Sequence, residues 1–355
     1  MTSLFSSRLE RHGITFPFMI APMVGLSHVA FRELIQAYTP AGLMPLRFTE
    51  MLSTRRVPNE RLDSVYELRT AQDEAGFVPQ LLGNEERFIR PSVERLSQLH
   101  PWGFDINMGC PVSHTLRHNW GVRLMGDPGY AAEVVRITRS CTKLPLSVKL
   151  RGGAGDRTDT DYLLQLTQQL EDAGADWLTI HPRARSQGHK GTANWEAAQV
   201  VAQARKIPVV VNGDIQTADD AIAALAHWKF DGAMIARAAT ARPWILWQIA
   251  AKLGIDACPI GRTMEELPTT LAMESREHFR ALLLFGDLLR KYCPSEEGRL
   301  KRMRFFVLNG SKWFMFGHAF WKATTKGKTL YEVCEIIEDY SGRYAHEMHE
   351  RIEFL

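Results

Sequence analysis

Eight short apolar runs recur along the first 250 or so residues, and their spacing constrains the fold more than any other feature of the chain. They are Phe18–Ile20, Leu46–Thr49, Val78–Leu82, Phe104–Ile106, Leu146–Lys149, Trp177–Ile180, Val209–Val211 and Gly232–Ile235. Each is a continuous apolar stretch, the pattern of a parallel strand covered on both faces. The segments between them read as helices. Asp161–Leu170 places Leu163, Leu164, Leu166 and Leu170 near helical spacing, and the Ala-rich Asp219–Leu225 opens after Thr217, a capping residue. Eight strand–helix units in this length predict an α/β chain folded as a TIM (β/α)8 barrel. A doubly wound open sheet alternates in the same way and is the alternative; the strand count favours the barrel.

At 355 residues, with 45% apolar side chains, the chain is long enough for a second, smaller unit beside the barrel. Gly254 to Pro268 turns irregular, with Pro259, Gly261 and Pro268, and reads as a linker. Beyond it only helical stripes occur: Phe279, Leu282, Leu283 and Leu289; Met303, Phe306 and Val307; and Leu330, Val333, Cys334 and Ile337. A barrel domain over 1–253 and a helical bundle over 265–355 are expected. No apolar run reaches 18 residues, so no membrane span is predicted, and Met1–Pro17 lacks an apolar signal-peptide core; a cytoplasmic protein is the expectation. The five cysteines are odd in number and form no CxxC pair, so neither a disulfide framework nor a zinc site is suggested.

The net charge of +3 is too mild to imply a polyanionic partner. Its distribution says more. Ten Lys or Arg fall between Arg290 and Lys328, opposed only by Glu296 and Glu297 and interleaved with Phe305, Phe306, Trp313, Phe314 and Trp321. Basic residues mixed with aromatics suit an RNA-contacting surface. A solvated helical face over an aromatic core fits the same stretch equally well.

In a TIM barrel the chemistry lies at the C-terminal ends of the strands. Those ends carry Ala21-Pro22-Met23, Glu50, Gln80 to Gly83, Asn107-Met108-Gly109-Cys110-Pro111, Lys149 with Arg151, His181 with Arg183, Asn212-Gly213-Asp214, and Ala236-Arg237-Ala238. The last two loops, after strands seven and eight, are placed to hold a phosphate through backbone N–H groups and Arg237; singly, each also reads as a capped turn. Lys149, at the end of an apolar strand, calls for a bound anion, a ring that becomes anionic, or a salt bridge to a neighbour such as Glu50. His181 is a ligand contact or a satisfied structural histidine. Gln80 suits an amide-like ring edge. Cys110, held between Gly109 and Pro111, reads as a general acid as naturally as a nucleophile, because an ordinary thiol is largely protonated at neutral pH.

Taken in order, these segments resemble the dihydrouridine synthases. The resemblance is carried by Ala21-Pro22-Met23-Val24-Gly25, Gln80-Leu81-Leu82-Gly83, Asp105-Ile106-Asn107-Met108-Gly109-Cys110-Pro111, Ser147-Val148-Lys149-Leu150-Arg151, His181-Pro182-Arg183, Gln187 to Gly191, Pro208 to Asp214, and Asp231 to Arg237. It covers roughly residues 17–250, and the helical tail matches the family's RNA-binding domain by position and character. It implies FMN in the barrel mouth, with Pro22, Met23, Val24, Gln80 and Lys149 at the ring and His181, Asn212, Gly213, Asp214, Ala236 and Arg237 at the ribityl chain and phosphate. It further implies NADPH as reductant, Cys110 as proton donor to uracil C5, Asn107 and Arg183 as uracil contacts, and tRNA as substrate, with no stable protein partner. The sequence departs from the family where Val112 to His118 lacks the usual Lys, where Ala236 and Ala238 replace glycines, and where His189 stands in place of a common Tyr. A divergent subfamily is the expectation. The alternatives are a flavin reductase of a small pyrimidine or enone, and a non-catalytic RNA-binding barrel.

Overall fold

The computed structural model describes residues 5–62, 65–72, 74–343 and 348–353. The start of the Met1–Pro17 segment and parts of the 265–355 segment therefore lie outside the described residues. Eight parallel strands close into a barrel in sequence order: β1 (Phe18–Ile20), β2 (Arg47–Ser53), β3 (Phe77–Leu82), β4 (Phe104–Met108), β5 (Leu146–Gly153), β6 (Trp177–Ala184), β7 (Val209–Asn212) and β8 (Gly232–Ile235). Closure is made by β8 against β1, with Phe18, Met19 and Ile20 opposite Ala233, Met234 and Ile235. The open doubly wound sheet is thereby excluded.

All eight sequence-read strands are present, but β5 and β6 run further than their apolar runs. Their ladder continues through Arg151 opposite His181 and, past an irregularity, Gly153 opposite Ala184. Arg151, His181 and Arg183, read from sequence as following their strands, thus sit within them, and Lys149 lies inside β5 as its apolar run predicts. Neighbouring backbone, not side-chain hydrophobicity, extends these strands.

The outer helices are α1 (Val29–Ala37), α2 (Glu86–Ser97), α3 (Pro128–Cys141), α4 (Thr160–Asp172), α5 (Trp195–Ala204), α6 (Ala218–Ala226) and α7 (Ile245–Lys252). Thr217 caps α6 in a reciprocal capping box with Asp220. Between β2 and β3 the expected helix is missing: the described residues there form only a 3₁₀ turn at Val57–Asn59. That connection instead supports the C-terminal helices, since Arg69 donates to Tyr292 O at 2.5 Å and Arg302 lies 3.8 Å from the centre of the Tyr66 ring.

Two apolar cores result. The larger lies between the strands and the helices. The smaller fills the barrel interior with Met19, Phe48, Val78, Trp177, Val210 and Met234, and is plugged at the N-terminal end by Leu9 and Ile14. The catalytic end is left free for other side chains.

Beyond α7 the chain is irregular until α8 (Leu271–Tyr292), followed by α9 (Glu296–Gly310), α10 (Gly317–Thr324) and α11 (Leu330–Arg343). The three apolar stripes read from sequence are mostly buried here, with Met303, Phe306, Val307, Val333 and Ile337 at 0% exposure. Of the aromatics in the basic stretch, Phe306, Trp313 and Phe314 are core, whereas Lys301, Lys312, Lys322, Lys326 and Lys328 are exposed. The stretch thus combines an aromatic core with a solvated basic face.

These helices are seated on the barrel through a polar and aromatic seam. Arg242 pairs with Glu274 at 2.9 Å and lies over the Trp313 ring at 4.7 Å; Tyr38 donates to Glu277 at 2.6 Å; Phe31 meets Phe306 at 5.9 Å. Arg242 and Glu274 are both buried, and a buried pair broken on one side leaves an uncompensated charge. Arg242→Met is therefore expected to lose about 3–5 kcal/mol in equilibrium urea unfolding. A loss below about 1 kcal/mol would show that the seam does not depend on this pair.

Candidate active site

A cavity of ≈ 310 Å³ opens at the C-terminal ends of the strands, at the lower end of the range of about 300–1,000 Å³ for small-molecule sites. Pro22, Met23 and Val24 reach it from β1, Gln80 from β3, Asn107 and Cys110 from β4, and Lys149 from β5. His181 comes from β6, Asn212, Gly213 and Asp214 from β7, and Ala236 and Arg237 from β8. All but one of the site residues expected from sequence line this single space.

The exception is Arg183. It is 1% exposed and does not line the cavity; it sits behind the wall, ion-paired to Asp214 at 2.6 Å and donating to Lys190 O at 3.2 Å and to Gly191 O. Its Nη1 also lies 3.2 Å from His181 Nε2. Arginine only donates, so His181 accepts at Nε2 and carries its proton on Nδ1. Burial first, then Lys149 and the neighbouring arginines, hold the His181 pKa well below its ordinary value, which keeps the ring neutral.

The cations around the cavity are crowded. Burial lowers Lys149 to about 8, with Arg151 adding to the fall and Asp105 opposing it. Arg237 is lowered to about 10 by burial and then by Arg183. Among the described residues Lys149 makes no salt bridge; Glu50, the neighbour considered from sequence, accepts instead from Gly25 N at 2.8 Å. A cavity whose cations are all depressed by burial and mutual repulsion is suited to an anion. Gly213 permits close approach, since a Cβ there would lie 2.6 Å from His181 Cδ2 and its φ is +103°. Neither Ala236 nor Ala238 adopts a positive φ, so the alanines in place of glycines introduce no backbone strain. With Met23, Ile215 and Met234 as apolar wall, the lining fits a ring bearing a phosphorylated chain.

Cys110 is half-buried, and its main chain is held from both sides. Its N–H donates to Asn107 Oδ1 at 3.0 Å, and its carbonyl accepts from Val122 N at 3.1 Å. Gly121, at φ +61°, passes so close that a Cβ would lie 2.5 Å from Cys110 O. Arg151 Nε reaches Gly109 O at 2.8 Å. Among the described residues no base is hydrogen-bonded to the thiol, so nothing there supports the nucleophile reading.

Several lining residues escaped sequence reading. Met51 and Ile215 carry no distinctive signal. Phe305 and Asn309, one helical turn apart on α9, reach the cavity from the C-terminal helices. Phe305 was visible only as an aromatic in a basic stretch, and its i, i+4 spacing with Asn309 was the available clue.

A closed eight-stranded parallel barrel with a thiol, an amide, a lysine and a cationic end converging on one mouth defines a barrel enzyme of anionic ligands. The chain belongs to the dihydrouridine synthase family: residues 19–280 match the family described as Dihydrouridine synthase (Dus). It is 32% identical over 230 residues to a probable tRNA-dihydrouridine synthase 1 of Synechocystis sp., covering 64% of this chain and 63% of that one. It is 32% identical over 271 residues to a probable tRNA-dihydrouridine synthase of Rickettsia bellii, covering 75% and 78%. Against tRNA-dihydrouridine synthase B of Vibrio parahaemolyticus it is 32% identical over 259 residues, covering 71% and 74%. Among solved structures, histamine dehydrogenase from Rhizobium sp. 4-9 shares the fold at TM-score 0.52 and 10% identity, covering 75% of this chain and 49% of that one.

Glu50 supplies a pH test of the wall. Burial pushes its pKa up to about 7 from 4.5, against the Gly25 N–H bond that lowers it. The folded state then holds this proton more tightly than the unfolded chain. The resulting stability is full below pH about 4.5 and is lost as pH rises through about 7. Glu50→Gln keeps an acceptor for Gly25 and removes the titration. The melting temperature of wild type relative to Glu50→Gln should fall between pH 5 and pH 8; a constant difference across that range would contradict the assignment.

Proposed function

We propose that this protein is an FMN-dependent tRNA-dihydrouridine synthase that uses NADPH and reduces a uridine in the D-loop of tRNA to 5,6-dihydrouridine. It acts in the cytoplasm without a stable protein partner. No helix among the described residues is long and apolar enough to cross a membrane. The observation that carries the reading is the placement of Cys110: a half-buried thiol on a pinned loop, in the wall of a cationic cavity, within the family's Asn-Met-Gly-Cys-Pro segment.

FMN, once bound and reduced by NADPH, supplies the hydride that reaches uracil C6. Pro22, Met23 and Val24 would flank the ring, and Gln80 and Lys149 would meet its polar edge. His181 with Asn212, Gly213, Asp214, Ala236 and Arg237 would hold the ribityl chain and phosphate. Cys110 Sγ–H gives its proton to C5, so hydride and proton together saturate the C5–C6 double bond. Asn107 has one amide N–H left for uracil after bonding Gln80. Arg183 supports the site by holding Asp214 and His181 rather than by touching the base.

The C-terminal helices form the RNA-binding part. α9 carries exposed Lys301 on its surface and sends Phe305 and Asn309 into the cavity wall, so a base entering the mouth meets the helix that tracks its backbone. A small-molecule reductase has no use for that arrangement.

The test is direct. Purified protein takes up FMN and turns yellow, and dihydrouridine mapped across total RNA disappears from one tRNA position when the gene is removed. Cys110→Ala is expected to slow uridine reduction by about 10²–10⁴ while NADPH still reduces the flavin. Failure to bind FMN, or full activity on free uridine alone, would defeat the proposal.

A further inference from the structure

The cavity wall contains a hydrogen-bonded chain that starts on a buried carboxylate. Asp105, in β4, is 0% exposed. Its Oδ1 accepts from Ser147 Oγ at 2.5 Å and its Oδ2 accepts from Gln80 Nε2 at 2.7 Å. Gln80 Oε1 in turn accepts from Asn107 Nδ2 at 2.8 Å. Asn107 Oδ1 accepts the main-chain N–H groups of Gly109 at 3.1 Å and Cys110 at 3.0 Å.

The polarity of this chain is fixed by its ends. An amide side chain has nearly the same shape when flipped, so shape alone does not decide which end of Gln80 or Asn107 points where. The Asp105 carboxyl presents an accepting oxygen, Oδ2, to Gln80 both when ionised and when its proton sits on Oδ1 toward Ser147 Oγ, a hydroxyl that can accept it, and a main-chain N–H only donates. Two amides set between an acceptor-only end and a donor-only end have one arrangement that satisfies every group. Replacing Asp105 by an apolar residue removes the end that sets Gln80. A flipped Gln80 would present its NH₂ to that of Asn107 and release the two N–H groups that hold the cysteine loop.

A carboxylate buried inside a parallel barrel is costly, and the surroundings oppose that cost only in part. Burial raises the Asp105 pKa to about 7 against the Ser147 and Gln80 hydrogen bonds and the charge of Lys149. Lys149 stands two residues beyond Ser147 on β5, opposite Asn107 in the ladder.

We propose that Asp105 is a positioning residue for the reaction: it sets the orientation of the Gln80 and Asn107 amides, and through them holds the Gly109–Cys110 main chain so that the thiol is presented at a fixed place in the cavity wall. The consequence for turnover rests on the reading of Cys110 as the proton donor.

Three variants of the flavin-loaded enzyme test it. Asp105→Leu removes the acceptor at similar volume. Asp105→Asn keeps an acceptor for Gln80 and turns its NH₂ to Ser147, whose hydroxyl accepts as well as donates. Asp105→Asn combined with Ser147→Ala deprives that NH₂ of its partner. Hydrogen–deuterium exchange at the Gly109 and Cys110 amides should quicken by about tenfold in Asp105→Leu, the equilibrium equivalent of one lost hydrogen bond, and stay near wild type in Asp105→Asn. In single turnover, reoxidation of the reduced flavin by tRNA should slow by about 10² in Asp105→Leu, as for a small misplacement of a reacting group, with reduction by NADPH unchanged. If Asp105→Leu fails to fold, the double variant carries the test, and the same quickened exchange is expected there.

Wild-type exchange at both amides would overturn the proposal. So would exchange quickened uniformly across β3, β4 and β5, which marks a residue needed only for folding, or an Asp105→Asn enzyme that behaves like Asp105→Leu. Cys110→Ala, assayed alongside, separates the two readings: undiminished uridine reduction in that variant sinks the acid assignment, whereas an unchanged loop in Asp105→Leu sinks the role of Asp105.

Discussion

The pairing of β8 with β1 is the interaction on which the rest depends. Three residue pairs close the sheet, and closure turns eight separate strand ends into one ring. Met234, brought beside Met19 by this pairing, fills the interior and reaches the cavity wall. It also supplies the carbonyl that accepts from Asn212 Nδ2 at 2.7 Å, fixing the β7 end beside the β8 end. Without closure, Pro22 and Arg237 would lie at opposite edges of an open sheet. With it, they face the same space.

Once the ends converge, their charges must be reconciled. Lys149, Arg151, His181 and Arg237 all have pKa values lowered, with burial the largest cause in each case. The fold handles this excess in two ways. Arg183 is compensated within the wall by Asp214, and His181 stays neutral. Lys149 and Arg237 line the cavity, where a bound anion would relieve both. Arg183 belongs to the supporting wall because its carboxylate partner pulls it out of the cavity, whereas Lys149 and Arg237 line the cavity itself.

That distinction was beyond the sequence. The strands were legible because a buried parallel strand must be apolar on both faces, and the barrel followed from their number. The site was legible because polar residues ending apolar runs have few structural uses. The pairing of Arg183 with Asp214 was not, because it joins two strand ends 31 positions apart whose relative placement only the closed barrel defines. The missing helix after β2 was not, because the residues that replace it are stabilised by Arg302 and Tyr292 from the far end of the chain. The alanines at 236 and 238 read as departures from a glycine pattern, yet their φ values require no glycine there.

Gly25 shows most directly how the barrel and the C-terminal helices set each other. Its φ is +77°, and a Cβ on it would lie 2.8 Å from the Phe305 ring. A side chain there would be strained in the loop and would push α9 off the mouth. Its N–H is held by Glu50, a carboxylate from the middle of β2. The roof residue Phe305 is thus positioned by a glycine in the first loop, and that glycine by an acid on the second strand. The Ala21–Gly25 segment, read from sequence as a strand end lining the barrel mouth, is also the place where a helix some 280 residues further on meets the cavity.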